Sequence, residues 1–566
     1  MKLIVRTTLM IAVIFSFVPV LAQQKDLPKG WHLLDAETNG YHGISMDKAY
    51  RFVRSQNIKS TPVIVAVIDT GIDTAHEDLR PILWRNPKEI PGNGIDDDNN
   101  GYIDDVHGWN FLGGRDGRNV EKDSYEASRV YHGLKEKWGG EVNEATLSPA
   151  EKKEFQMWKR AKKEIVGEQQ EGGSLAELRK SIAEIKYADS IIRAGDAAIR
   201  QQLGKDEYTC KDLADFNTSN LLAKRVKLIL TSVCKDNKTD EISNTDLLQD
   251  LEGEIDEIET NIAKHEAAEK APIPYRADIV KGNYDDINDR FYGNNNLTVS
   301  RNGVTHGTHV AGIIAAVRGN DIGVDGVADN VRIMAVRALP PGGDEHDKDM
   351  ALAIRYAVDN GAKVINMSFG KGYSPQKRWM DEAIQYAEER GVLLIHAAGN
   401  EAKNIDTTYN FPTPLFENGK RPTNWITVGA SGDPVVGGFV ANFSNYVKKE
   451  VDVFAPGVRI YSTVGNNGYQ SLQGTSMAAP VVAGLAAFIL QYYPSLTPGQ
   501  VKYAIEKSAI KPGEKVKNPE TGEEVSLGEL CRTGGVINAY EAIKLASTLK
   551  PETRPVRSKV KSKAKG

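Results

Sequence analysis

Only three cysteines occur in 566 residues, too few for a fold stapled by disulfides. Neither sign of charge is in excess. A net charge of −5 gives no general electrostatic case for binding nucleic acid. After the first twenty-odd residues the sequence offers no apolar run that reads as a membrane span, so no stable membrane anchor is expected. Apolar residues at 40% and charged residues at 26% are ordinary globular values, which excludes a chain that is disordered or fibrous throughout.

What is present begins with a leader. Lys2 and Arg6 precede the apolar stretch Leu9 to Phe17, and Val20-Leu21-Ala22 ends in a small residue. That is the pattern of an export signal cleaved after residue 22. The apolar stretch is short and Pro19 follows it, which favours cleavage over a retained anchor. The expected product is exported, periplasmic or extracellular. In that oxidising setting Cys210 and Cys234 can pair and leave Cys531 free, but three cysteines permit three single pairings.

Three textures follow. Residues 27–119 and 286–549 carry short apolar runs ending in Gly, Asp or Asn; residues 120–285 are charged and helix-periodic; residues 550–566 are rich in Lys, Arg, Ser and Pro. The last reads as a disordered tail, either a basic binding arm or simply solvated. The run Val63 to Ile68 is continuous rather than alternating, as in a parallel strand covered on both faces. Similar runs are Ile333 to Val336, Val364 to Met367, Val392 to Ile395 and Ile426 to Val428. Helical spacing from Asp349 to Asn360, Ser374-Pro375 opening a helix to Arg390, and Thr497-Pro498-Gly499-Gln500 alternate with them. Alternation of this kind predicts an α/β domain with a mostly parallel sheet, whose ligands bind beyond the carboxyl ends of the strands.

Four fragments at element ends carry chemistry. Asp69-Thr70-Gly71-Ile72-Asp73 ends the first strand, and either a functional carboxylate or an Asx turn fits it, with Asp73 as the turn former. In His306-Gly307-Thr308-His309 two histidines sit at metal-binding spacing but lack a third ligand. The small residues Gly307, Ala311 and Gly312 suit a helix packed close to the sheet, with His306 at its exposed start as a proton carrier and His309 structural. Ser476 opens an apolar helix, where unpaired N–H groups favour a developing anion; an N-cap serine is the plainer alternative. Pro480 fits if it belongs to the first turn. Asn400 follows a buried strand and can offer its amide N–H to an oxyanion.

Taken together these stretches resemble the subtilisin (subtilase) family of serine peptidases. The matching residues are Val67 to Ile72, His306 to Gly312, Asn366 to Gly370, Ala397 to Asn400 and Gly474 to Ala478. The resemblance implies a three-layer α/β/α subtilisin-like domain and a serine endopeptidase acting on polypeptides without a catalytic cofactor. It implies Ser476 as nucleophile, His306 as general base, Asp69 as its orienter and Asn400 as oxyanion donor. Ser368, Phe369 and Gly370 would form the edge that pairs with an extended substrate, with Gly399 and Asn410 beside the specificity pocket. Asn410 stands where the family usually has glycine, so a shortened or polar pocket is expected.

The resemblance also implies structural calcium, at Asp78 and the loop holding Asn320 with the carbonyls of Ile322 and Val324. Separately, Asp96-Asp97-Asp98-Asn99-Asn100-Gly101 opens like an EF-hand loop, but its twelfth position is His107. It is either a calcium loop using Asp96, Asp98, Asn100 and Asp104 or a solvated acidic turn.

Asp69 and His306 lie 237 residues apart, where the family places them a few tens apart. The excess contains two capping boxes, Ser148 to Glu151 and Ser174 to Glu177. Apolar stripes also run through it, Leu178-Ile182-Ile185-Ile192 and Leu247-Leu251-Ile255-Ile258-Ile262. A helical hairpin or small bundle beside the cleft is expected, serving as a packed appendage, a lid, a partner-docking arm or a folding aid. Between the leader and Thr61 no room is expected for the inhibitory pro-domain of many secreted relatives.

Overall fold

The strand-like runs form a single parallel sheet. The computed structural model describes residues 27–167, 174–236, 240, 242–300, 303–406, 408–434 and 438–552. The leader and all but the first three residues of the tail lie outside them. Strands β1 (Val63–Asp69), β2 (Gly108–Asn110), β3 (Val331–Arg337), β4 (Val364–Met367), β5 (Leu393–Ala397), β6 (Trp425–Ser431) and β7 (Val453–Pro456) lie in the order β2-β3-β1-β4-β5-β6-β7. Every pairing in this sheet is parallel. The chain builds out from β1 to one side and then crosses to the other, so the strand order reverses at β1. That reversal opens a crevice at its carboxyl end.

Period two sorts the side chains of β1 between two cores. Val65 and Val67 join the core that includes the apolar helices Thr305–Ala315 and Thr475–Tyr492. Ala66 and Ile68 join the opposite core with the helices Asp347–Asp359 and Lys377–Arg390. The result is a three-layer α/β/α domain. The helix Thr475–Tyr492 is long and apolar enough to cross a bilayer, contrary to the membrane-span reading of the sequence. With 89% of its 18 residues buried in the protein, that apolarity is spent on the core.

Local signals mostly act where they stand. Thr497 caps its helix reciprocally with Gln500, and both serine capping boxes of the insertion form. Ser374 is the exception. The helix begins at Lys377, and the Ser374 hydroxyl instead donates to Asp347 at 3.0 Å. The buried Asp347 carboxylate also accepts the Gln376 N–H at 2.8 Å, so it takes both the hydroxyl and a local amide the serine would have capped. Among the described residues the insertion forms five longer helices, α1 (Glu126–Trp138), α2 (Pro149–Lys162), α3 (Leu175–Leu203), α4 (Leu221–Asp236) and α5 (Asn244–Glu269), with the two apolar stripes on α3 and α5. Ile185, Ile192, Val226, Leu230, Leu247 and Leu251 pack as one cluster. A Cys210–Cys234 disulfide braces it, and Cys531 is buried and free.

The insertion is fixed at both ends of α5 to the side of the sheet that carries Ser476. Near its start, Gln249 Nε2 donates to the carbonyl of Gln473 at 2.9 Å, three residues before Ser476. Asp246 pairs with Arg459. Near its far end, Lys264 pairs with Glu164 at 3.4 Å, and Glu164 accepts from the Tyr373 hydroxyl at 2.7 Å. Arg160 of α2 donates to the carbonyl of Gly372 at 2.8 Å. At 1.5 Å per residue, α5 covers about 22 Å from Gln249 to Lys264. It therefore reaches from the serine loop to the segment just beyond Gly370.

Candidate active site

Register brings the chemistry to one edge. Ile68 pairs with Met367, and Met367 with His396, so Asp69, Ser368 and the Gly399-Asn400 turn all emerge from the carboxyl ends of adjacent strands. Asp69 is fully buried. Its Oδ1 accepts from the Thr70 N–H at 2.7 Å and lies 2.8 Å from Nδ1 of His306. The helix carrying His306 reaches β1 because Gly307 has no side chain. A Cβ there would stand 2.2 Å from the Gly71 carbonyl oxygen and 3.1 Å from Asp69 Cβ.

The bond to Asp69 leaves Nε2 as the free face of the imidazole, and the side chain is 36% exposed, so substrate can reach it. Burial pulls the imidazole pKa down, but the charge and hydrogen bond of Asp69 outweigh it, and the net direction is above the ordinary 6.5. His309 behaves differently. It is buried, its Nε2 lies 3.1 Å from the Gln470 carbonyl oxygen, and burial lowers its pKa to about 3. The two histidines face different partners.

Ser476 is the second residue of its helix, so its N–H has no intrahelical acceptor. Its hydroxyl donates to the Ser368 carbonyl at 3.2 Å rather than to His306. The Ser368 hydroxyl returns the contact, donating to the Ser476 carbonyl at 2.9 Å. That carbonyl is free because of Pro480. The proline lies in the helix interior, not in the first turn, and cannot supply the N–H that a residue four positions on normally gives. The break thus ties the serine turn to the end of β4.

Asn400 is oriented by a residue the sequence reading passed over. Its Oδ1 accepts from both the N–H and the hydroxyl of Thr475, at 2.8 and 2.9 Å, which leaves its Nδ2 as the outward donor. Gly399 N–H donates to the same hydroxyl at 3.0 Å. Gly474 completes the arrangement. A Cβ on it would lie 3.4 Å from Asn400 Nδ2 and 3.6 Å from Ser476 N, with φ at 150°. The empty side of this glycine is therefore the space between two N–H donors, where an oxyanion would sit. The signal was the glycine before Thr475-Ser476, legible only once Asn400 was known to approach it.

The neighbouring edge is shaped by Asn410. Its Nδ2 donates to the Ala398 carbonyl at 2.8 Å, and its Oδ1 lies 2.3 Å from where a Gly370 Cβ would be. Phe369 is held by its carbonyl oxygen, 2.8 Å from His396 Nε2. A cavity of about 380 Å³ opens here, lined from the core by Gly370, Tyr409 and Asn410 and from the insertion by Tyr125, Ile165 and Thr260.

The two segments named for calcium come together. Asn320 Nδ2 donates to Asp78 Oδ1 at 2.7 Å, and the Val324 N–H approaches Asp78 Oδ2 at 3.5 Å. Ile322 N–H turns back to Asn320 Oδ1 at 3.3 Å. Asp78 is buried, and burial raises its pKa despite these donors. A buried carboxylate facing an amide on a tight loop is a donor set that fits a hard cation, with the Asn320 amide turned to present its oxygen.

A carboxylate-oriented imidazole, a serine at a helix N-terminus and converging amide donors, set at the switch point of a parallel sheet, are the apparatus of the serine hydrolases. The chain belongs to the subtilase family, whose profile matches residues 60–530. It is 34% identical over 268 residues to thermitase of Thermoactinomyces vulgaris, covering 47% of this chain and 85% of thermitase. It is 40% identical over 212 residues to subtilisin DY of Bacillus licheniformis, covering 37% and 72%. It is 42% identical over 206 residues to a thermophilic serine proteinase of Bacillus sp. (strain AK1), covering 36% of this chain and spanning about half, 47%, of that protein.

Proposed function

We propose that the protein is an exported serine endopeptidase. Ser476 Oγ attacks the peptide carbonyl while His306 Nε2 takes its proton. His306 then returns the proton to the leaving amine, and water hydrolyses the Ser476 ester by the same route. Asp69 holds the tautomer and stabilises the imidazolium. Asn400 Nδ2 and the Ser476 N–H receive the oxyanion. The observation that carries the reading is the 2.8 Å Asp69–His306 contact, made across 237 residues beside the strand end to which Ser476 is bonded. Digestion of a denatured proteome, with sequencing of the new N-termini, tests it: the reading expects cleavage within chains, and absence of new termini contradicts it.

Export is supported by the leader and by the Cys210–Cys234 disulfide, a bond that persists outside reducing compartments. Calcium held by Asp78, Asn320 and the carbonyls of Ile322 and Val324 would brace the fold; no step of hydrolysis runs through it. A narrower reading, a maturation peptidase for one partner, is favoured by the composite wall of the 380 Å³ cavity, since the insertion supplies part of the surface a substrate meets.

Two results are expected here. Lowering the pH through the raised pKa of His306 protonates the base and removes activity. The acid limb of kcat/KM therefore lies above 6.5, and Asp69→Asn moves it down while cutting kcat by ~10⁴-fold. Asn410→Gly removes the side chain between Gly370 and Ala398, and selection should shift toward large apolar P1 residues by roughly 10–200-fold in kcat/KM, read with paired peptides.

A further inference from the structure

The face of α5 turned toward the catalytic domain is occupied at its ends and open in its middle. Asp246, Gln249, Gly253, Glu257, Thr260 and Lys264 follow one another at three- and four-residue steps, so they share one side of the helix. The first two bond to the catalytic domain, at Arg459 and Gln473. The last two line the cavity that holds Gly370, where the Thr260 hydroxyl meets that of Tyr125 at 3.0 Å. The opposite side belongs to the insertion. Leu248, Leu251, Ile255 and Ile258 pack in its core, and Glu252 and Glu259 pair with Arg193 and Lys186 of α3.

Between the anchors, over about 16 Å of helix, lies free space. Gly253 is exposed, and a Cβ on it would meet nothing within 4 Å. Glu257, one turn on, is exposed as well. A glycine in the middle of a long helix weakens it relative to alanine, and here no neighbour in the protein demands one. Asp250, beside this row, is open to water, yet loss of solvent and the nearby Asp246 push its carboxyl up to about 6, as for a group over a recess rather than in bulk solvent. The reacting groups that α5 runs past stay reachable: Asn400 is exposed, and His306 and Ser476 are half-buried.

We propose that the polypeptide to be cleaved runs as an extended segment through the gap between α5 and the catalytic edge, with Gly253 setting the clearance. The identity of the occupant rests on the peptidase reading. The gap is continuous with the groove at Gly370, whose N–H and carbonyl have no hydrogen-bond partner among the described residues and suit an incoming strand. A strand with its side chains is roughly 10 Å thick, whereas a 100-residue domain has a radius of gyration of about 13 Å. A helix held at both ends over the groove therefore selects unfolded chains and long loose loops, and excludes folded surfaces.

The test reads binding by fluorescence anisotropy, with a labelled, reduced and carboxymethylated protein against the full chain carrying Ser476→Ala. Adding Gly253→Trp is expected to weaken binding at least tenfold. Adding Gly253→Ala should change it less than twofold, and Glu269→Trp, exposed on another side of α5, should leave it unchanged. With Ser476 restored, Gly253→Trp should lower kcat/KM on the same polypeptide at least tenfold, through KM, while a small fluorophosphonate labels Ser476 at the parental rate. If Gly253→Trp does not fold, Glu257→Trp carries the same expectations. A folded Gly253→Trp or Glu257→Trp that binds the polypeptide as tightly as its parent overturns the proposal. So does labelling that slows in step with cleavage, because the effect would then lie on the triad. Binding that weakens in Gly253→Trp, in a chain that never takes label, would defeat the peptidase reading and support the passage.

Discussion

Ser476→Ala will leave a folded chain whose kcat on a peptide substrate falls by on the order of 10⁶-fold, the scale on which a serine peptidase loses its nucleophile. The fold should survive because the hydroxyl's recorded contact is the 3.2 Å bond to the Ser368 carbonyl, while the bond from the Ser368 hydroxyl to the Ser476 main-chain carbonyl is untouched. His306→Ala should cost about as much, since without the base the hydroxyl keeps its proton, and adding the second change to the first should add little. An additive double variant would mean that the two side chains act separately. Circular dichroism and active-site titration on the same samples separate lost chemistry from lost folding.

The second large effect concerns the space beside Gly474. Asn400→Ala deletes the donor at one side of that space and should lower kcat by ~10²–10³-fold, about 2.7–4 kcal/mol of transition-state stabilisation, with KM nearly unchanged. Gly474→Ala should act in the same direction by another route. Its methyl group would stand 3.4 Å from Asn400 Nδ2 and 3.6 Å from Ser476 N, where the oxyanion must fit, and a φ of 150° strains any side chain there. Steady-state kinetics decide: a rise in KM at constant kcat would place Asn400 in ground-state binding instead. Thr475→Val should lower kcat by less, because the Thr475 N–H still holds Asn400 Oδ1.

The places of Asp69, His306 and Ser476 were legible because they sit at element ends, where short motifs and local physics coincide. The continuous run to Asp69, the glycine-spaced helix after His306 and the apolar helix behind Ser476 are each local features, and register then aligned them. What remained hidden depends on distant partners. Ser374 read as a helix cap, yet Asp347 claims its hydroxyl. Pro480 read as a first-turn proline, yet it frees the Ser476 carbonyl for Ser368. The stripe on α5 showed that a helix would pack, but not that Gln249 would reach the Gln473 carbonyl. Glu89 lies outside the acidic motif, and only the folding of the loop brings its buried carboxylate to Asp96 and Asp98.

The central claim is that Asp69, His306 and Ser476 act together despite the inserted helices. Reaction with a fluorophosphonate, with the adduct mapped by peptide mass spectrometry, tests it most directly, because labelling requires a serine activated by its base. The account predicts a single adduct on Ser476 in the intact protein and its loss in a folded His306→Ala variant. An intact, folded protein that takes no label, or an His306→Ala variant that labels equally fast, would contradict it.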